Sequence, residues 1–173
     1  MAIISLMTIA EGFLASFDPE MRNTRRMLER VPDDAMEYKP HQKSMPLGRL
    51  AGHISEMIEW GKTTVEVDEM DLRPSGAPEY VPSVPANRET VLEHFDRAVA
   101  NTREAVAKTT DDAMRRDWTL LMSGNEIFTM PRIAVLQTMV LSHVIHHRAQ
   151  LSVYLRMNDV PIPGMYGPSA DER

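Results

Sequence analysis

Four stretches of this chain repeat their apolar residues every three or four positions, and that period commits most of its length to amphipathic helices packed face to face. The first stretch covers about residues 6–31, where Phe13, Phe17, Met21, Thr24, Leu28 and Val31 make one apolar face. Asp18-Pro19-Glu20 reads as a cap followed by proline at a first helical position. The stripe continues straight through it, so a longer helix kinked at Pro19 is expected, ending before Pro32. Ser44 is expected to cap a second helix, with Pro46 just inside and Leu47, Leu50, Ile54, Met57, Ile58 and Gly61 facing inward as far as about Glu66. Asn87 caps a third, whose stripe is Val91, Phe95, Val99, Thr102 and Val106, ending near Lys108. Thr129 and Pro131 open a fourth that closes at Asn158.

The connections are unequal. Residues 68–86 carry Pro74, Pro78, Pro82 and Pro85 and read as a long crossover between the second and third helices. Before the fourth helix, "WTLLM" and "EIFTM" flank Ser123-Gly124-Asn125, the pattern of a small hairpin. The expected fold class is therefore all-α, a four-helix bundle with a crossover, in one domain spanning 1–173.

Composition narrows the function classes. No apolar run approaches the roughly 18 residues that cross a bilayer. The apolar start MAIISLMTIA lacks a basic region and is followed by Glu11, so no secretory signal is expected. The chain has no cysteine, which excludes disulfides and thiolate chemistry and fits a cytoplasmic location. The net charge of −6 argues against nucleic acid as a partner. Arg22, Arg25, Arg26 and Arg30 lie opposite the apolar face of the first helix and read as a solvated surface.

The chemistry concentrates in "LSHVIHHRAQL", residues 141–151, which holds three of the six histidines. Leu136, Val140, His143, His147, Leu151 and Tyr154 form the inward stripe of the fourth helix, so His143 and His147 sit one turn apart on the face turned to the core. Two imidazoles on one rigid helix are well placed to share a metal ion. His146 projects about 60° aside and cannot easily join them; it steadies a ligand ring, touches substrate or lies in an interface. A third ligand should come from another helix, and His53, on the inward edge of the second, is the candidate. His41 lies in a loop and His94 beside Phe95. The competing account is that these are ordinary core histidines. Three neutral imidazoles suit zinc or nickel, and less exclusively iron or copper, and leave a position open for water or substrate, the catalytic pattern. Glu56, three residues after His53, reads as a fourth ligand, a partner to an imidazole, a base or a solvated residue. A carboxylate-bridged pair of metals would need Glu-x-x-His on two helices, and the chain lacks it. Arg148 either holds an anionic substrate group or pairs with a neighbouring helix. Trp60, Tyr154, Met57 and Met139 wall a pocket or simply pack the bundle, and Tyr166 and the hairpin could rim it. Fourteen methionines fit either a promiscuous apolar pocket or a loosely specified core.

At "KSMPLGRLAGHISE" and "LSHVIHHRAQLSVYLRMNDVPIPGMYGPSADE" the chain resembles the DinB-like superfamily, which includes YfiT-type proteins, bacillithiol S-transferases and, more distantly, mycothiol-dependent maleylpyruvate isomerase. The resemblance runs from about Phe13 to Glu172, with Ala149 where glycine is frequent. It implies a bundle in up-down-down-up order, a divalent metal (zinc or nickel) on His53, His143 and His147, and frequent homodimers. It also implies activation of a low-molecular-weight thiol for transfer to a small electrophilic substrate; the residues themselves allow metal-assisted hydrolysis as well and leave Glu56, His146 and Arg148 as candidate catalytic residues. The alternatives are a non-catalytic metal- or ligand-binding module and a purely structural dimeric bundle.

Overall fold

The computed structural model describes residues 7–78, 82 and 84–172. The first six residues of the apolar N-terminal stretch and part of the proline-rich crossover lie outside the described residues. Helix α1 (Ile9–Leu28) begins at a reciprocal cap: Thr8 Oγ1 accepts from the Glu11 N–H at 3.1 Å, and the Glu11 carboxylate accepts from the Thr8 N–H at 2.8 Å. It runs through Pro19, whose missing N–H leaves one helical bond unmade. Its basic face is solvated and ion-paired, Arg25 to Asp96 and Arg26 to Glu172.

Helix α2 (Leu47–Glu66) starts directly after Pro46. The expected Ser44 cap is absent. The Leu47 and Gly48 N–H groups are instead satisfied by the Tyr38 and Met36 carbonyls, both at 2.9 Å, so the preceding loop does the capping. Helix α3 (Arg88–Ala107) opens as expected, with Asn87 accepting from the Thr90 N–H at 2.9 Å. A short α4 (Asp111–Arg115) follows, which the sequence pattern did not suggest.

The all-α expectation needs correction: the chain is mostly helical but includes a three-stranded sheet. The hairpin of β2 (Asp117–Met122) and β3 (Asn125–Pro131) is present. It turns through Ser123 and Gly124, both with positive φ (52° and 76°), as a two-residue turn matched to strand twist requires. The addition is β1 (Glu69–Asp71), contributed by the crossover and parallel to β2, giving the order β1-β2-β3. Trp118 and Leu120 turn inward and, with Val135, form a small second core on which Trp60, Met70 and Leu72 pack.

The last helical segment is continuous but not uniform. Helix α5 (Arg132–Val135) passes into a π-helical stretch (Leu136–Ser142) and then into α6 (His143–Met157). Helix α1 packs on α3 and α6, and α2 on the same two helices, around a core that includes Phe13, Phe17, Ile54, Phe95 and Leu151. Helices α2 and α3 approach closely at Gly61, where an added Cβ would lie 2.4 Å from Thr102 Cγ2. Thr102 in turn donates to the Ile58 carbonyl at 2.6 Å. Arg132, only 2% exposed, ties the start of the last segment to the end of α2. It donates to the Thr64 and Val67 carbonyls at 2.8 and 3.1 Å and pairs with Asp68, satisfying carbonyls that a helix end leaves unmet. Among the described residues no helix is long and apolar enough to cross a membrane.

Candidate metal centre

The inward faces of α2 and α6 bring His53, His143 and His147 together, with one ring nitrogen from each within 4.8 Å of the others. Ring centroids are 5.6 Å apart for His53 and His143, 4.7 Å for His53 and His147, and 4.6 Å for His143 and His147. Among the described residues His41 and His94 do not join them. His41 is an exposed loop residue bonded to the Lys43 N–H, and His94 is half-buried on α3.

Two of the three imidazoles are held by a side chain one turn on. His147 Nδ1 meets Gln150 Oε1 at 2.8 Å; since an amide oxygen only accepts, the ring proton sits on Nδ1. Its Nε2 therefore carries a lone pair, and this atom is buried with no hydrogen-bond partner. His53 Nδ1 lies 3.4 Å from Glu56 Oε2, which also accepts from Arg49 Nη2 at 2.9 Å. The Met139 carbonyl, one turn back on the same segment, favours the protonated His143 ring. Such contacts fix the tautomer and orientation of a ligand imidazole.

The electrostatics keep the donors available. Burial pushes the His147 imidazole down to about 4, with the rings of His53, His143 and His146 adding to the effect and the Gln150 bond opposing it. Burial and the same kind of neighbours lower His143. For Glu56, burial raises the carboxyl, but the His53 hydrogen bond and the Arg49 guanidinium outweigh it and hold the group below the usual carboxylate range. Two neutral imidazoles beside an ionised carboxylate are what a divalent cation requires, since protons need not be displaced first. The residues present fit a divalent ion on three grounds: an unpartnered buried nitrogen, a donor set of three imidazoles, and orienting partners behind the rings.

The remaining expected site residues lie at different depths. His146 is exposed, its ring centroid 5.0 Å from that of His147, and it stays outside the ligand group. Arg148 is buried and committed to α1 and the tail. It pairs with Glu20 at 2.7 Å and donates to Thr24 Oγ1 at 3.2 Å and to the Tyr166 hydroxyl at 2.7 Å. Tyr166 thus closes the α1–α6 seam. Tyr154 donates to the Met45 carbonyl and packs edge-on against Tyr38, and Met139 belongs to the second core. Met57 and Trp60 do face open space: a cleft of about 780 Å³ runs from His53 and Glu56 to Met122 on the hairpin.

Sequence reasoning missed Gln150 and Arg49. The signal for Gln150 was present, because it follows His147 by three residues as Glu56 follows His53, and that spacing puts the side chains side by side on a helix.

Comparison with known proteins places this geometry. The chain is 27% identical over 164 residues to the uncharacterized protein YrdA of Bacillus subtilis (strain 168), covering 94% of this chain and 90% of that protein. A crystal structure of a DinB-like protein from Bacillus cereus ATCC 10987 matches with a TM-score of 0.68 at 27% identity, over 92% of this chain and 99% of that one. The DinB-like protein YjoA of Bacillus subtilis matches in fold, with a TM-score of 0.64 at 18% identity, over 94% and 99% of the two chains. The model of the DinB family matches residues 7–173, and the chain belongs to that family.

Proposed function

We propose that this protein is a divalent-metal-dependent enzyme that transfers a low-molecular-weight thiol to a small electrophile or, failing a thiol, hydrolyses such a substrate. The observation that carries the reading is the buried, unpartnered Nε2 of His147 within reach of His53 and His143. These three residues would hold zinc or nickel. The ion, when bound, supplies the Lewis acidity that makes a thiol or water nucleophilic near neutral pH. Gln150 keeps the proton of His147 on Nδ1. Glu56, kept ionised by Arg49, does the same for His53 and presents a partly exposed carboxylate to the cleft, where it can take a proton from the entering nucleophile. His146 stays on the solvent side of His147 and touches the substrate's outer end, and Arg148 holds α6 against α1.

The same reading takes the four long helical segments as a four-helix bundle in up-down-down-up order, forming one domain that acts in the cytoplasm. It also takes the exposed Val153 and Met157 of α6 as part of a homodimer surface.

The test is elemental analysis of untagged protein beside His143→Ala, followed by a thiol and electrophile panel assayed with the zinc- and nickel-loaded forms. About one ion per chain, lost in the variant, with metal-dependent turnover is expected. Metal without turnover across the panel would leave a binding module. An ion-free, fully folded protein that takes up neither metal would leave a structural bundle.

A further inference from the structure

The cleft beside the metal cluster has a wall of unusual make-up. Met57 and Trp60 come from α2, Met70 and Leu72 from β1 and the residue after it, and Met122 from the end of β2. Trp60, Met70 and Leu72 also pack on the second core of Trp118, Leu120 and Val135, so this wall is braced from behind. The rim is pinned as well. The Asp71 carboxylate accepts from the backbone N–H groups of Arg73, Ser123 and Gly124 at 2.9, 2.9 and 2.8 Å, which locks the crossover strand to the hairpin turn. The sheet therefore has a purpose that the helices alone do not explain. It places a second apolar surface opposite α2, at the point where His53 reaches the cleft.

The charges in the cleft are largely spent. Arg49 pairs with Glu56, and Asp71 is used by three backbone donors. Glu59 and Arg73, both exposed and opposite in sign, give no net preference for an ion. Thioether side chains adapt to varied apolar shapes, and an indole face favours a flat ring. The volume of about 780 Å³ is that of a site for a small organic molecule.

We propose that this cleft binds a small, uncharged aromatic molecule, held between the methionines and Trp60 with its reactive end toward His53. This deepens the proposed function by naming the class of the electrophile. It rests on that reading only for what happens to the molecule once bound.

The test uses N-phenyl-1-naphthylamine, an uncharged aromatic probe that fluoresces in apolar sites, titrated into chelator-stripped and zinc-loaded full-length protein. One probe per chain is expected. Thr63 lies on the α2 side of the cleft, and Thr63→Trp, which fills it, should weaken binding by at least about tenfold. Met122→Glu, at an exposed position that leaves folding untouched, should weaken it about fourfold, the equivalent of one lost methylene contact. Both variants should still take up one zinc per chain. No probe binding by the wild type, or binding that neither variant weakens, overturns the proposal. Zinc uptake without probe binding would sink this inference and leave the metal reading standing; probe binding weakened by both variants without zinc uptake would support the cleft and sink the metal reading.

Discussion

Replacing Gln150 by leucine removes one hydrogen bond at an exposed helix position, and the consequence should be larger in metal affinity than in folding. Gln150 Oε1 takes the Nδ1 proton of His147 at 2.8 Å, which leaves Nε2 as the free donor facing the other two imidazoles. Without that acceptor the ring can rotate or carry its proton on Nε2, and both states must be reversed before it can ligate. A neutral hydrogen bond is worth about 0.5–1.5 kcal/mol net, and the bond strengthens once a cation polarises the ring. Loss of such a partner elsewhere costs about 10–100-fold in metal affinity, or about 1.4–2.7 kcal/mol. Gln150→Leu should therefore lose only about 0.5–1.5 kcal/mol of metal-free stability, the worth of that one bond, yet lose zinc to a chromogenic chelator at about 10–100-fold lower chelator concentration. Gln150→Glu keeps an acceptor and should hold zinc at least as tightly as the wild type. If Gln150→Leu competes within twofold of the wild type while His147→Ala no longer binds, the orienting role assigned to Gln150 is wrong.

Three further outcomes follow from the packing. His147 falls from an ordinary value of 6.5 to about 4 on folding, so the unfolded chain binds the extra proton between those values. Metal-free protein should keep its full stability above about pH 6.5 and lose about 3 kcal/mol as the pH falls to about 4; His147→Leu should flatten that slope in chelator-containing denaturant titrations, and equal slopes would refute it. Arg148→Met leaves the Glu20 carboxylate without its cation, with only the Tyr166 hydroxyl donating to it at 3.0 Å, and should cost about 3 kcal/mol in urea unfolding, with zinc stoichiometry of the folded fraction unchanged. Gly61→Ala drives a methyl into Thr102 and should cost about 1–3 kcal/mol despite a gain of about 1 kcal/mol in helix propensity; Thr102→Ser, which removes the clashing Cγ2 and keeps the hydroxyl, should recover most of it in a double-mutant cycle, and strict additivity would show that the contact is not the cause.

The helical stripes were legible because burial and period report the same thing. Phe13, Phe17, Met21, Thr24, Leu28 and Val31 are all buried, although the helix itself ends at Leu28. His53, His143 and His147 were legible for the same reason, as polar residues on apolar faces. Strand β1 was not. Its three residues, Glu69-Met70-Asp71, are too few to show alternation, and it exists only because β2 lies beside it. The Ser44 cap failed because two distant carbonyls, those of Tyr38 and Met36, satisfy the first N–H groups of α2, and no local pattern encodes that. Arg148 follows His147 directly and was open to two readings, a group that holds an anionic substrate or a pair with a neighbouring helix, and the structure has the second. Glu20 and Thr24 on α1 are 128 and 124 residues away and Tyr166 is in the tail, and only the fold reveals which residues it meets.

The π-helical stretch from Leu136 to Ser142 sets the rotational phase of the last segment. Each α-helical residue advances the chain by about 100°, whereas a π turn takes in an extra residue before it closes. The stretch lets Arg132 and Val135 face the sheet end while His143 and His147 face α2. Deleting one residue there, for example Thr138, would alter no ligand and no orienting partner. It would let the wide stretch close as ordinary α turns with both imidazoles still toward α2, whereas a one-residue deletion inside α6 between His143 and His147 would turn one imidazole about 100° away from the other. The wide stretch thus absorbs a residue that a regular helix would pass on to the centre as a rotation.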